Sequence, residues 1–245
     1  MNRLLTLAAT LTVPIALTAC GGSSSTPSAH DTPSAPPSSS APPSPSPTAT
    51  SGGTDQQRVT AIQLALTDLP SGWKSQPDTT TAAERLKNDR QFDTCLGLPT
   101  IETIQTTSSE VDFGRGDGFA FAATLINVTK NEPQAAPYQA VLAGPKGVSC
   151  SVASARSQPP PKGAKLVSAT GSRLDAPAGE FAMRTVVTYK LANGRNVSLT
   201  IDDFGMVVKR FIVQVAFTGV IQPPQKALED SVVAKVLARA TANAA

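Results

Sequence analysis

The amino-acid sequence predicts an α+β domain: an antiparallel sheet of about five strands packed against N- and C-terminal helices. A signal peptide and a disordered tether precede it. Three observations carry this reading. Apolar residues alternate with period two through Phe181, Met183, Val187 and Tyr189, and again through Val197, Leu199 and Ile201. Asn193-Gly194 sits between those two runs, the strongest short-range hairpin signal. Apolar stripes of helical spacing flank the strand-rich region, at Val59, Ile62, Leu66 and Leu69 and at Leu228, Val232, Val236 and Leu237.

The chain begins with an export signal. Arg3 supplies the positive start, and Leu4 to Leu17 is an apolar run too short for a comfortable membrane span. Leu17-Thr18-Ala19-Cys20, followed by Gly21-Gly22-Ser23, ends it. This tetrad resembles the lipobox of bacterial lipoproteins. The resemblance implies cleavage before Cys20, a diacylglycerol thioether on its sulfur, and a third acyl chain on its amine in many members. Two chains suffice for stable anchoring where one does not. The expected location is therefore the extracytoplasmic face of the cell membrane, with the membrane itself as first partner. Residues 20–56 are almost all Ser, Thr, Pro, Gly and Ala, with no apolar period, and cannot repay the entropy of folding. As a tether they reach about 115 Å if polyproline-like, or about 33 Å root-mean-square as a coil.

The folded part, residues 57–245, is read as one domain. Thr54 with Gln57 three residues on is a capping box, and Pro70-Ser71-Gly72 ends the first helix. A second helix is expected over 80–93, with Ala83, Leu86 and Phe92 facing inward. Phe119, Phe121, Ala123 and Leu125 alternate as a first strand. A helical stretch over 133–156 breaks at Gly144-Pro145 and stops at Pro159-Pro160-Pro161. A weaker strand covers 166–174. Val207, Phe211, Val213, Val215 and Phe217 share one parity in the last strand, and its turn falls at Asp202–Gly205 or at Lys209-Arg210. One polar and one apolar face per strand predicts a sheet covered on one side, by the last helix.

Composition excludes several chemistries. The net charge is +3 and the pI about 8.8, but no Lys/Arg run exceeds two and aromatics are 4%. That is no nucleic-acid footprint, which shows a basic stripe with interleaved aromatics. The single histidine, His30, lies in the tether, so the domain holds no Ser-His-Asp or Cys-His site and is poor in zinc ligands. No cofactor motif is present. With Cys20 lipidated, Cys95 and Cys150 remain. Two cysteines in an oxidising space predict a bridge closing about 55 residues, worth roughly 4 kcal/mol; the bland alternative is two buried thiols.

Leu69-Pro70-Ser71-Gly72-Trp73, Cys95-Leu96-Gly97-Leu98-Pro99 and the later Cys150 are similar to a group of actinobacterial exported lipoproteins with LPxGW and CLGxP segments. Some mycobacterial lipoproteins of this size have a PsbP-like sandwich of sheet and helices, and others resemble the sensor domains outside receptor kinases. Either fold suits the elements above, and neither implies a catalytic residue.

The remaining motifs have modest readings. Ser71-Gly72-Trp73-Lys74 spells S-x-x-K but sits in a turn, without the Ser-Asp-Asn or Lys-Thr-Gly partners that chemistry needs. Asp203-Phe204-Gly205 reads as turn chemistry. Glu110, Asp112 and Asp117 lack calcium-loop spacing. Arg115-Gly116-Asp117 is an integrin-type adhesion tripeptide, which ordinary composition produces by chance in roughly one protein of this length in twenty. Asn127-Val128-Thr129 and Asn196-Val197-Ser198 match glycan acceptors. Trp73, the only tryptophan, is read as a core plug or as the floor of a ligand groove. The expected function is non-enzymatic binding of an envelope lipid, a wall polymer or an envelope protein. The alternatives are a wall hydrolase using Glu110 with Asp112 or Asp202 with Asp203, and a pure interaction or adhesion module.

Overall fold

A computed structural model describes residues 53–77, 81–177 and 179–244. Cys20, His30, the signal peptide and the tether up to residue 52 lie outside the described residues. The described chain is a seven-stranded antiparallel sheet with six α-helices. In chain order these are α1 (Asp55–Ile62), β1 (Trp73–Ser75), α2 (Ala82–Leu96), α3 (Ile101–Ile104), β2 (Gln105–Arg115), β3 (Ala120–Thr129), α4 (Glu132–Ala143), α5 (Pro145–Ser157), β4 (Ala164–Arg173), β5 (Glu180–Leu191), β6 (Asn196–Val208), β7 (Phe211–Val220) and α6 (Lys226–Asn243). The strand order across the sheet is β1-β2-β3-β7-β6-β5-β4.

The α+β class stands, but the sheet has seven strands rather than five, and it is covered on both sides. Every residue of β7 is buried. Its odd residues Val213, Val215 and Phe217 pack with Val59 and Ile62 of α1 and Val232, Val236 and Leu237 of α6. On the other side Ile212 joins Phe92, Leu96, Ile101, Tyr138 and Leu142 of α2, α3 and α4, together with Phe181 and Met183 of β5. The apolar face of β5 therefore lies under the middle helices, not under α6. The terminal helices cover one face and the middle helices the other.

The two added strands lie side by side beyond the first expected one, at the edge of the sheet. β2 pairs with β3 from Gln105↔Thr129 to Gly114↔Phe121, and β1 pairs with the end of β2 through Trp73↔Arg115. β2 escapes a period-two reading because its first six residues are Gln, Thr, Thr, Ser, Ser and Glu. On its outer side it borders only a three-residue strand, paired with Phe113 to Arg115, so most of its length is a sheet edge, where polar side chains are tolerated.

Helix ends follow local chemistry. The Thr54–Gln57 capping box forms, and Asp55 and Gln56 make the first turn of α1. That helix ends at Ile62, and Leu66 is exposed on a 3₁₀ turn. In α2, Thr81 and Glu84 form a capping box, Gly97 takes the left-handed cap, and the buried residues are Phe92, Asp93 and Leu96 rather than Ala83. α4 and α5 meet at Gly144-Pro145.

The last hairpin turns at Lys209-Arg210, with Lys209 at φ 51°. Asp203-Phe204-Gly205 is therefore not a turn: it lies in the middle of β6. Val207 consequently faces the side opposite to Phe211 and Val213, pairing with Ile212. Gly205 serves packing. It pairs with Phe181, and a Cβ there would run into the Phe181 ring and the Val213 carbonyl oxygen. Gly205→Ala should cost roughly 1–3 kcal/mol by overpacking. Chemical unfolding checks this, and a variant as stable as the parent would contradict it.

Candidate functional site

The middle helices leave a cleft of about 200 Å³ against the sheet. Arg85, Asp89, Phe92 and Asp93 of α2 line one wall. Ile101, Glu102 and Gln105, at and just after α3, line the next, and Tyr138 of α4 reaches in. The floor is the central pair of strands: Leu125 and Asn127 of β3 beside Ile212 and Gln214 of β7. Asn127 stands opposite Ile212, and Leu125 opposite Gln214, so the two amides are diagonal neighbours.

Those amides are the unusual feature. Asn127 is 8% exposed and Gln214 6%, and both line the cleft, where their amides make no side-chain hydrogen bond to a described residue and keep a little access to solvent. Two more acceptors in the lining, Glu102 Oε2 and Gln105 Oε1, are buried without a hydrogen bond. Buried polar groups are bonded in the large majority of cases, and leaving one unpaired costs about 1–3 kcal/mol. The rest of the wall is satisfied. Glu102 pairs with Arg90 at 2.6 Å, Asp93 accepts the Ile101 N–H at 2.7 Å, and the Tyr138 hydroxyl donates to the Pro99 carbonyl at 2.7 Å. Burial pushes Asp93 up to about 6, against the pull of the Ile101 N–H. Burial and Asp93 also raise Tyr138 above the ordinary tyrosine range.

The cleft wall is braced covalently. Cys95 on α2 and Cys150 on α5 form a disulfide, with Cα atoms 5.7 Å apart. Trp73 lies elsewhere. It is buried and lines a second groove, of about 300 Å³, at the end of the sheet with Phe119, Phe217, Ile221 and Pro224. Ser71 and Gly72 form a turn, and Lys74 is exposed on β1, so the S-x-x-K tetrad has no helix to align it. In the adjoining loop Arg115 and Asp117 pair with each other at 2.7 Å, which ties together the two charged ends of the tripeptide. Thr129 is fully buried on β3 and Asn196 is exposed at the start of β6.

The paired carboxylates differ from those the sequence suggests. Asp202 and Asp203 point to opposite faces, as neighbours on a strand must. Glu110 and Asp112 share a side of β2, and both are already engaged. The close pair is Asp202 with Glu229 of α6. Asp202 is fully buried and accepts two bonds from Arg184, at 2.6 and 2.5 Å. Glu229 is buried beside it and hydrogen-bonded to it. Since Asp202 is sealed from solvent, this pair belongs to the packing of α6 on the sheet. Among the described residues no group of three His, Cys, Asp or Glu is placed to hold a metal ion, and no helix is long and apolar enough to cross a membrane.

No protein-family model matches this chain, and no curated protein matches it. Among solved structures it is similar to the extracellular domain of PknH from Mycobacterium tuberculosis, at 15% sequence identity and a TM-score of 0.41, over 76% of this chain and 97% of that one.

Two predictions follow from the buried polar groups. Burial, the Asp202 carboxylate and Asp230 push Glu229 up to about 8, with Arg184 pulling the other way. The unfolded chain releases that proton near pH 4.3. The fold therefore holds a proton that the unfolded chain has lost, and stability falls as pH rises from about 4 towards 8. Glu229→Gln removes this loss, so the melting temperature of the variant relative to the parent should climb across that window. A gap that stays constant from pH 4 to 9 would refute the assignment. On the cleft floor, Asn127→Leu and Gln214→Leu should each raise stability by about 1 kcal/mol in chemical unfolding, since an amide without a partner is replaced by a side chain that needs none.

Proposed function

We propose that this protein is a lipid-anchored, extracytoplasmic, non-enzymatic binding module, and that its ligand sits in the cleft between α2, α3, α4 and the central strands. One observation carries the binding half: two largely buried amides on the cleft floor that make no side-chain hydrogen bond to a described residue. A core built only for stability would hold apolar side chains there. The address rests on the sequence, where Leu17-Thr18-Ala19-Cys20 stands between an apolar run and a long Ser/Pro-rich tract. The bridged Cys95 and Cys150 accord with an oxidising compartment. A stalk of that reach would hold the domain off the membrane among wall polymer and envelope proteins.

A hydrolase reading finds three carboxylates in the same wall, Asp89, Asp93 and Glu102. It ranks second because Asp93 caps α3 through Ile101, while Glu102 is held by Arg90. A catalytic pair needs carboxyls that face the substrate across a cleft.

The test has two parts. Cys20→Ser should move the mature protein from the membrane fraction to the soluble fraction, and a variant that stays in the membrane would sink the anchor. Mass spectrometry of the purified full chain should recover a bound small molecule that Asn127→Leu with Gln214→Leu no longer retains. Turnover of wall polymer by the parent, with nothing retained, would overturn the binding reading in favour of hydrolysis.

A further inference from the structure

The cleft specifies the chemistry of its occupant. We infer that it takes a neutral, polyhydroxylated ring, a single sugar unit or cyclic polyol, gripped at its edge by Asn127 and Gln214. This deepens the reading of the cleft as the binding site and rests on it.

The donors and acceptors on the cleft floor come in matched sets. Each amide presents a carbonyl oxygen and two N–H donors side by side. A hydroxyl is also donor and acceptor at one atom, so a ring carrying adjacent hydroxyls matches two amides at diagonal positions on neighbouring strands. The two buried acceptors nearby, Glu102 Oε2 and Gln105 Oε1, have no hydrogen-bond partner among the described residues and call for donors. Hydroxyls supply them without bringing charge.

Charge excludes the competing classes. Asp89, Asp93 and Glu102 line the wall against Arg85, so a phosphate or carboxylate would meet repulsion. A cation is disfavoured, since Asp93 accepts the Ile101 N–H, Asp89 is engaged within the fold, and the Glu102 charge is already neutralised by Arg90, leaving one carboxylate oxygen, Oε2, without a partner. Shape completes the case. Phe92, Ile101, Leu125 and Ile212 supply an apolar surface for the C–H face of a ring. The volume, about 200 Å³, falls below the 300–1,000 Å³ of pockets for drug-sized ligands, and the polar floor is wrong for an acyl chain.

The ring can come free in solution or as the end of a wall glycan, and the experiment separates the two. The full chain carrying Cys20→Ser is titrated by calorimetry with a neutral hexose, an N-acetylhexosamine, inositol, a neutral glycan oligomer, a hexose 6-phosphate and a medium-chain fatty acid. At least one neutral ring should bind, and its phosphate should bind at least ten-fold more weakly. Asn127→Leu with Gln214→Leu should weaken the neutral ring by about 100-fold, ten-fold for each lost amide. Competition between the free ring and the oligomer shows whether polymer ends use the same place. Asn127→Asp, close in shape but without the N–H donors, gives the same readout if the double variant does not fold. Equal affinity in the parent and the variants would overturn the cleft as the ring's place. Binding of the phosphate or fatty acid in the cleft, with no neutral ring bound, would overturn the ligand class and leave the binding reading intact. No binding across the panel also overturns the class; if nothing co-purifies either, the binding reading falls with it.

Discussion

The structure depends on burying one strand on both of its faces. β7 runs from Phe211 to Val220 without an exposed residue. Six of its ten side chains are large and apolar, and burying each contributes about 1.5–3 kcal/mol. The gross gain is of the same order as the net stability of a whole domain, about 5–15 kcal/mol. It is realised only if both sides of the sheet are roofed. α1 and α6 roof one side and α2 to α5 the other, so the chain must send its ends to one face and its middle to the other. β7 then lies between β3 and β6, which makes it the strand that both roofs share.

Much of this was legible in the sequence, and the parts that were not have physical reasons. Period-two runs and Asn193-Gly194 mark β5 and β6, because one face of each strand is richer in apolar residues than the other. The same test mis-scores β7. Phe211, Val213, Val215 and Phe217 look like one apolar face, yet Ile212 on the opposite parity is buried as deeply. A strand covered on both sides shows no alternation, and only the unbroken apolar run from Phe211 to Val213 hints at it. β2 fails in the other direction, since an edge strand can be polar and needs no period. Asp202–Gly205 resembles a turn because Asp and Gly favour turns. The glycine is there to let the Phe181 ring lie over the backbone, a contact between strands that no local pattern reports.

The cleft was less legible than the fold. Trp73 draws attention as the only tryptophan, but it plugs the edge of the core and lines a different groove. Asn127 stands out only as a glycan acceptor, and Gln214 reads as an interruption of an apolar run. A buried amide has no periodic signature. Its meaning appears once β3 and β7 are paired and α2 is seen to line a cleft above them. Asp202 and Glu229 are hidden for the same reason, one on a strand and the other on a helix that the fold brings over it.

Both faces bury polar atoms without a partner, Glu229 Oε1 under α6 among them, and what sets Asn127 and Gln214 apart is that their amides line a cleft. Under α6 the Asp202 carboxylate is sealed, and it is neutralised by Arg184 and hydrogen-bonded to Glu229. Its charge is met from inside the protein. Under α2 the amides of Asn127 and Gln214 are largely buried but make no side-chain hydrogen bond to a described residue. Rigidity adds to the case. Cys95–Cys150 ties α2 to α5, and Gln139 of α4 accepts the Val207 N–H of β6 at 2.9 Å, so helices on two sides of the cleft are fastened. A cavity that could collapse would close over its unpaired groups. One held open by a covalent brace keeps them exposed to whatever enters, and this preorganisation lowers the entropic cost of binding.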